Sequence, residues 1–182
     1  MSHHDFDALH GIKPGLHFYQ FYKSFEDYSV VLSAYFHAGL TKGDTCLWLI
    51  SKKIGVLRML GMAAENIPEF DRYLESGQLE VHPAEDWYLD HSQFSEERSM
   101  TNASNFVARA EARGSKAIRA AGDAGAIPQC DWNLLEIYER KISDFIREKR
   151  VLALCAYPIL DCTLKETRMV IDCHDHVLIA KI

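Results

Sequence analysis

Leu16-His17-Phe18-Tyr19-Gln20-Phe21-Tyr22-Lys23-Ser24-Phe25-Glu26-Asp27 decides how the chain is read. Its first seven residues are dense in aromatics, which favour a pleated, buried strand. Ser24 follows, with Asp27 three positions on, a spacing that resembles a capping box with Asp in the Glu place. A helix is expected from there to about Ala38, because Tyr28, Val31, Leu32, Tyr35 and Phe36 recur at helical spacing. Strand, tight turn and helix in that order make a βα unit. A phosphate-binding turn there would need glycines, whose N–H groups wrap an anion, and a Lys. Lys23 to Asp27 has no glycine and two carboxylates, and no GxxxxGK[ST] occurs in the chain.

Outward from this unit the same alternation repeats. Thr45–Ile50 (TCLWLI) and Val151–Tyr157 (VLALCAY) are continuous apolar runs of strand length, the type covered on both faces in a parallel sheet. Gln78–His82, Ser115–Ala120 and His176–Ala180 read as further strands. Helices are expected over about 53–64, 69–76 and 163–172. Ser95 is placed to cap another, with Ala103, Phe106, Val107 and Ala110 on one face. Asp131 is placed to cap the most amphipathic one, which turns Leu134, Leu135, Tyr138, Ile142, Phe145 and Ile146 inward. Ala121–Pro128 reads as a glycine-containing loop, and Trp87-Tyr88 with Phe94 as a loop or short helix able to cover a cleft. The pattern implies a three-layer α/β fold with a mainly parallel sheet flanked by helices. Residues 1–14 read as a flexible lead-in containing His3, His4 and His10, and residues 15–182 as one domain.

Composition narrows the function. The chain has 182 residues with 20 Lys+Arg against 26 Asp+Glu, a formal net charge of −6. An acidic balance disfavours direct nucleic-acid binding, which calls for a basic patch. No window reaches the ~18 uninterrupted apolar residues of a membrane span, and the polar N-terminus is not a signal peptide. Five scattered cysteines suit free thiols in a reducing cytoplasm.

In parallel sheets ligands usually lie beyond the carboxyl ends of strands, which nominates Lys23–Asp27, Ser51, the 120–128 loop and Tyr157–Asp161. Arg119, near the end of an apolar strand, needs a carboxylate or a ligand, and Asp123 and Glu139 are the candidate partners. Glu139 adjoins the inward face of its helix, pointing either to the sheet edge or to solvent. Neither CxxC nor HxxxH is present, so no metal site is expected; the alternative is a set assembled from distant positions, His17, Cys155 and His174. Buried Cys is usually a small hydrophobe, and nothing local marks Cys155 as an activated nucleophile.

The order of short motifs resembles the MEDS family, the methanogen/methylotroph DcmR-like sensory domain. The resemblance is carried by His17–Tyr22, Glu26, Ala38–Asp44, Gly77–Val81, Trp87–Leu89, Phe94, Ala117–Arg119 with Gly122-Asp123, Tyr138-Glu139, Leu154–Tyr157 and His174. It implies a RecA/KaiC-like domain without the Walker A loop, and a role in sensing small hydrocarbon derivatives such as C1 compounds. By similarity His17, Glu26, Arg119, Asp123, Glu139, Cys155 and His174 are the ligand-binding positions, joined by the strand aromatics Tyr22 and Tyr157. Tyr19 stands where relatives often carry Cys, and Ala124-Gly125-Ala126 where they have a Trp. No cofactor is required and ATP is not expected. The expected partners are a small-molecule ligand and a kinase, a transcriptional regulator or a second copy as recipient of the signal, with no nucleic acid and no membrane. The alternative is a degenerate nucleotide-binding domain or a Cys/His-dependent enzyme.

Overall fold

The computed structural model describes Leu9 and residues 11–179. His3, His4, His10 and Ala180 lie outside the described residues. Leu9 is buried against Ala34 and Ala38.

Strand β1 (His17–Tyr22) enters α1 (Phe25–Lys42) through the expected box: the Ser24 hydroxyl accepts from the Asp27 N–H, and the Asp27 carboxylate accepts from the backbone N–H of Ser24. The helix runs past Ala38 to Gly43, which closes it at φ 87°. Gly39 does not stop it. That glycine is a close approach, since a Cβ there would lie 2.7 Å from the Arg119 side chain.

Next come β2 (Thr45–Ile50), α2 (Val56–Asn66), α3 (Phe70–Glu75) and β3 (Leu79–Pro83). The Trp87-Tyr88 segment is a short helix, α4 (Ala84–Tyr88), leading into a hairpin of β4 (Leu89–Asp90) and β5 (Gln93–Phe94). Ser95 caps α5 (Glu96–Ala112) by accepting from the Arg98 N–H. The strand expected at Ser115 begins three residues later, as β6 (Ile118–Asp123). Residues 115–117 form the connector, where the Ser115 hydroxyl pairs with that of Thr45 at 2.5 Å. Gly122 and Asp123 are therefore strand residues and not the start of a loop.

Asp131 stands at the N-cap of α6 (Trp132–Lys149) without capping it, because its carboxylate accepts instead from the Phe94 N–H. The chain ends in β7 (Val151–Pro158), α7 (Leu164–Cys173) and the short β8 (His176–Val177).

The six-stranded sheet has the order β3-β2-β6-β7-β1-β8, with every adjacent pair parallel. Helices α1, α2 and α3 bury one face, on Tyr35, Phe36, Trp48 and Leu154. Helices α4 to α7 bury the other, on Leu47, Phe106, Leu135 and Tyr157. All six residues of β2 are buried, as a strand covered on both faces requires. The arrangement is the three-layer α/β fold expected from the alternation.

Candidate functional site

Alternation along the strands sorts the candidate residues. In β1 and β7, His17, Cys155 and Tyr157 face α6 and α7, while Phe18, Leu154 and Ala156 face α1. The two strands are paired in the sheet, Tyr19 opposite Cys155, so residues far apart in sequence converge. Helix α6 lies over them and directs Glu139 and Ser143, one turn apart, at the sheet. Glu139 is 2% exposed, which resolves its orientation. His174 arrives from the end of α7.

The cluster is tightly connected. The His17 ring places Nδ1 2.8 Å from the Ser143 hydroxyl and Nε2 3.2 Å from the Cys155 sulfur. The Glu139 Oε2 atom lies 3.6 Å from His17 Nε2 and 3.7 Å from His174 Nε2. Its other oxygen accepts from the Tyr157 hydroxyl at 2.8 Å. His174 Nδ1 donates to the Val170 carbonyl at 2.7 Å, and the two imidazoles stand 4.0 Å apart between centroids.

Burial sets the electrostatics, since it penalises each charged form. It pushes His17 well below the usual imidazole value, reinforced by His174 and Arg147, and lowers His174 to about 4. It raises Glu139 to about 7 against the opposing Tyr157 hydrogen bond. The Cys155 thiol is pushed well up by burial and then by the Glu139 charge. A thiol so raised is a poor nucleophile at neutral pH.

The cluster borders a cavity of about 70 Å³ between the sheet and helices α5 and α6. His17 and Cys155 contribute polar side chains to its lining, as do Tyr88 and Tyr138; Leu49, Phe106, Val107 and Ile142 are among the apolar residues that line the rest. A single water takes ~10–15 Å³ on this measure, so the space fits roughly five waters or one organic molecule of a few heavy atoms. Trp87 and Tyr88 are among its walls; Phe94 is not.

The remaining candidates lie elsewhere. Arg119 faces α1, where it donates to Asp44 at 3.1 Å and to the Tyr35 carbonyl at 2.6 Å. Its partner is thus neither Asp123 nor Glu139. Asp44 closes the turn after α1 and gave no signal of this in the sequence. Asp123 ends β6 and accepts from Tyr22, from the Gly125 N–H, and from the hydroxyl and N–H of Ser51. Glu26 is exposed beside Arg58 at 3.5 Å. The site set therefore divides: His17, Glu139, Cys155, Tyr157 and His174 meet on one side of the sheet, and Tyr22 with Asp123 pair at the carboxyl ends. Arg119 and Glu26 join neither group.

The cluster departs from the carboxyl-end rule, because His17 is the first residue of β1. Ser143 was missed in the sequence. Its one signal was a hydroxyl among the inward positions of an amphipathic helix, four residues after Glu139. At the N-terminus of α1, Asp27 accepts from the N–H groups of both Lys23 and Ser24, so a carboxylate of the chain takes up two backbone donors of this turn.

The family model for the methanogen/methylotroph DcmR sensory domain, MEDS, matches residues 16–175. Among solved structures, the flagellar accessory protein FlaH from Methanocaldococcus jannaschii superposes with a TM-score of 0.61 at 12% identity, over 97% of this chain and 76% of that one. At that identity the likeness concerns the fold alone, a RecA-like one. Comparison with curated proteins gives no match.

Proposed function

The chain belongs to the MEDS family, and from that premise we propose that it senses a small, largely apolar organic molecule with one polar group, held in the cavity beside His17 and Cys155. The family's sensory description supports a sensing role. The observation that carries the choice of site is the cavity itself, where a mostly apolar lining meets a few polar side chains, His17 and Cys155 among them. Ligand pockets typically have this composition, with few polar groups fixing orientation in an apolar space. The volume favours C1-type compounds and other short hydrocarbon derivatives.

Relay to a kinase, a transcriptional regulator or a second copy belongs to the same reading. So does a cytoplasmic setting, which all five cysteines being free supports. Among the described residues no helix is long and apolar enough to cross a membrane.

The test is a thermal-shift screen of short alcohols, aldehydes, amines and halomethanes against the full chain and Ala103→Leu. Ala103 lines the cavity, so the larger side chain takes up its space. A ligand at 100 times its dissociation constant adds about 2.7 kcal/mol, and Ala103→Leu is expected to lose that response. A response of equal size in both proteins would move the site away from the cavity.

A further inference from the structure

We propose that His17 Nε2, His174 Nε2, Cys155 Sγ and Glu139 Oε2 form a four-donor site for a zinc-class divalent cation. The four donor atoms all lie within 4.8 Å of one another. The argument begins with where the protons are. His174 uses its Nδ1–H on the Val170 carbonyl, which leaves Nε2 as a bare lone pair. The Ser143 hydroxyl donates to a backbone carbonyl, that of Glu139 at 2.7 Å or Cys173 at 3.1 Å. It therefore accepts from His17 Nδ1–H, and His17 Nε2 is bare as well.

Both imidazoles thus turn lone pairs toward one point, where the Glu139 Oε2 also points. The Cys155 S–H, 3.2 Å from His17 Nε2, satisfies only one of these acceptors. His174 Nε2 is buried without any hydrogen-bond partner, on a side chain 0% exposed. Such an orphan is costly, and a cation at the common point would engage all four donors together.

The spacing agrees. Tetrahedral zinc with bonds of about 2.0–2.3 Å sets its ligand atoms roughly 3.3–3.6 Å apart. The separations here are 3.2 Å for His17 to Cys155, 3.6 and 3.7 Å for each imidazole to Glu139, and 4.0 Å for Cys155 to Glu139. The two remaining pairs, each involving His174, lie within 4.8 Å, so drawing all four donors onto one ion takes side-chain movement of up to about 1 Å at the widest pair. Two imidazoles, a thiolate and a carboxylate make a borderline-soft set that suits zinc and not magnesium or calcium, which take oxygen ligands. Outer hydrogen bonds orient three of the four ligands, as metal sites usually require: His17 donates to Ser143, His174 donates to the Val170 carbonyl, and Glu139 accepts from Tyr157. On binding, Cys155 gives up its proton to solvent and enters as thiolate.

The site shares His17 and Cys155 with the sensory cavity but needs no organic ligand, so either reading can fail alone. The test uses the full chain, stripped by chelator and titrated with Zn(II) against a competing chromophoric chelator, and separately with Co(II). Stoichiometric Zn(II) uptake is expected, with a thiolate-to-cobalt charge-transfer band that Cys155→Ser abolishes. Ser143→Ala retains every donor and is expected to weaken Zn(II) by roughly 10–100-fold, and His174→Ala by at least as much. Cys155→Ser, nearly isosteric, decides the matter if His174→Ala does not fold by circular dichroism. No stoichiometric uptake by the folded wild type, or equal uptake by Cys155→Ser, overturns the proposal. Thermal-shift responses of the stripped chain to the organic screen report on the sensory reading independently.

Discussion

The Tyr157 hydroxyl donates to one oxygen of Glu139 at 2.8 Å, and the other oxygen is left turned toward His17 and His174 at 3.6 and 3.7 Å. Tyr157 is fully buried and neighbours Cys155 along β7, so a rigid strand fixes the carboxyl. Tyr157→Phe deletes the donor at nearly constant shape. In metal-stripped protein it is expected to cost about 1–3 kcal/mol, the penalty for a buried polar group left unpaired. Urea unfolding measures this as a lower midpoint at unchanged m-value. No shift would mean that Glu139 finds another donor.

The elements of this site were legible in the sequence, and their meeting was not. Aromatic and aliphatic runs announced β1 and β7, and the 3-4 spacing announced α6. That β1 and β7 are neighbours follows from strand order, which local pattern does not encode. Hence His17 and Cys155, 138 positions apart, were candidates on their ligand chemistry and on a resemblance, and became contacts only in the fold. Arg119 shows the converse. Its need for a partner was legible from an Arg in an apolar strand, but Asp44, although it ends the Ala38–Asp44 motif, carried no sign that it is that partner, because the pairing of β2 with β6 brings the two together. The β6 boundary was misjudged for a related reason: Gly122 reads as a loop residue, yet its missing side chain makes room for Tyr88.

Arg119 and Asp44 form an ion pair on the α1 side of the sheet, with Arg119 1% exposed. Removing one charge strands the other, which typically costs 3–5 kcal/mol. Arg119→Ala is expected to lose about that much by urea unfolding. Arg119→Met with Asp44→Asn is expected to recover a large part of it, because no buried charge then lacks a partner. Since Arg119 faces away from the cavity, the double variant keeps any thermal-shift response to cavity ligands. Loss of that response in a folded double variant would place Arg119 in the site after all.

Asp123 predicts a pH dependence. Burial raises its carboxyl above the ordinary value of 3.8, although hydrogen bonds from Ser51, Gly125 and Tyr22 oppose the shift. A folded-state value above the unfolded one means that the folded protein holds the proton more tightly. The associated stability is present in full below the unfolded value and is lost as pH rises through the folded one. Against Asp123→Asn, whose side chain does not titrate, wild-type unfolding free energy is expected to decline as pH rises above about 4, by at most about 1.4 kcal/mol per pH unit. Urea titrations of both proteins across that range give the difference directly. A difference independent of pH would show that Asp123 ionises equally easily folded and unfolded.

Gly122 lies opposite Cys155 in the ladder between β6 and β7, and a Cβ on it would stand 2.0 Å from the Tyr88 hydroxyl oxygen. The next ring atom is 3.3 Å away, so the clash is almost entirely with the hydroxyl. Gly122→Ala therefore drives Tyr88 outward from a packed layer, at an expected cost of about 1–3 kcal/mol. Tyr88 also walls the cavity, so the displacement is expected to weaken any cavity ligand. Tyr88→Phe removes the obstructing atom while leaving the ring. Combined with Gly122→Ala, it is expected to recover most of the lost stability, a coupling that a double-mutant cycle reads directly. Additive costs would mean that the strand itself, and not Tyr88, resists the methyl group.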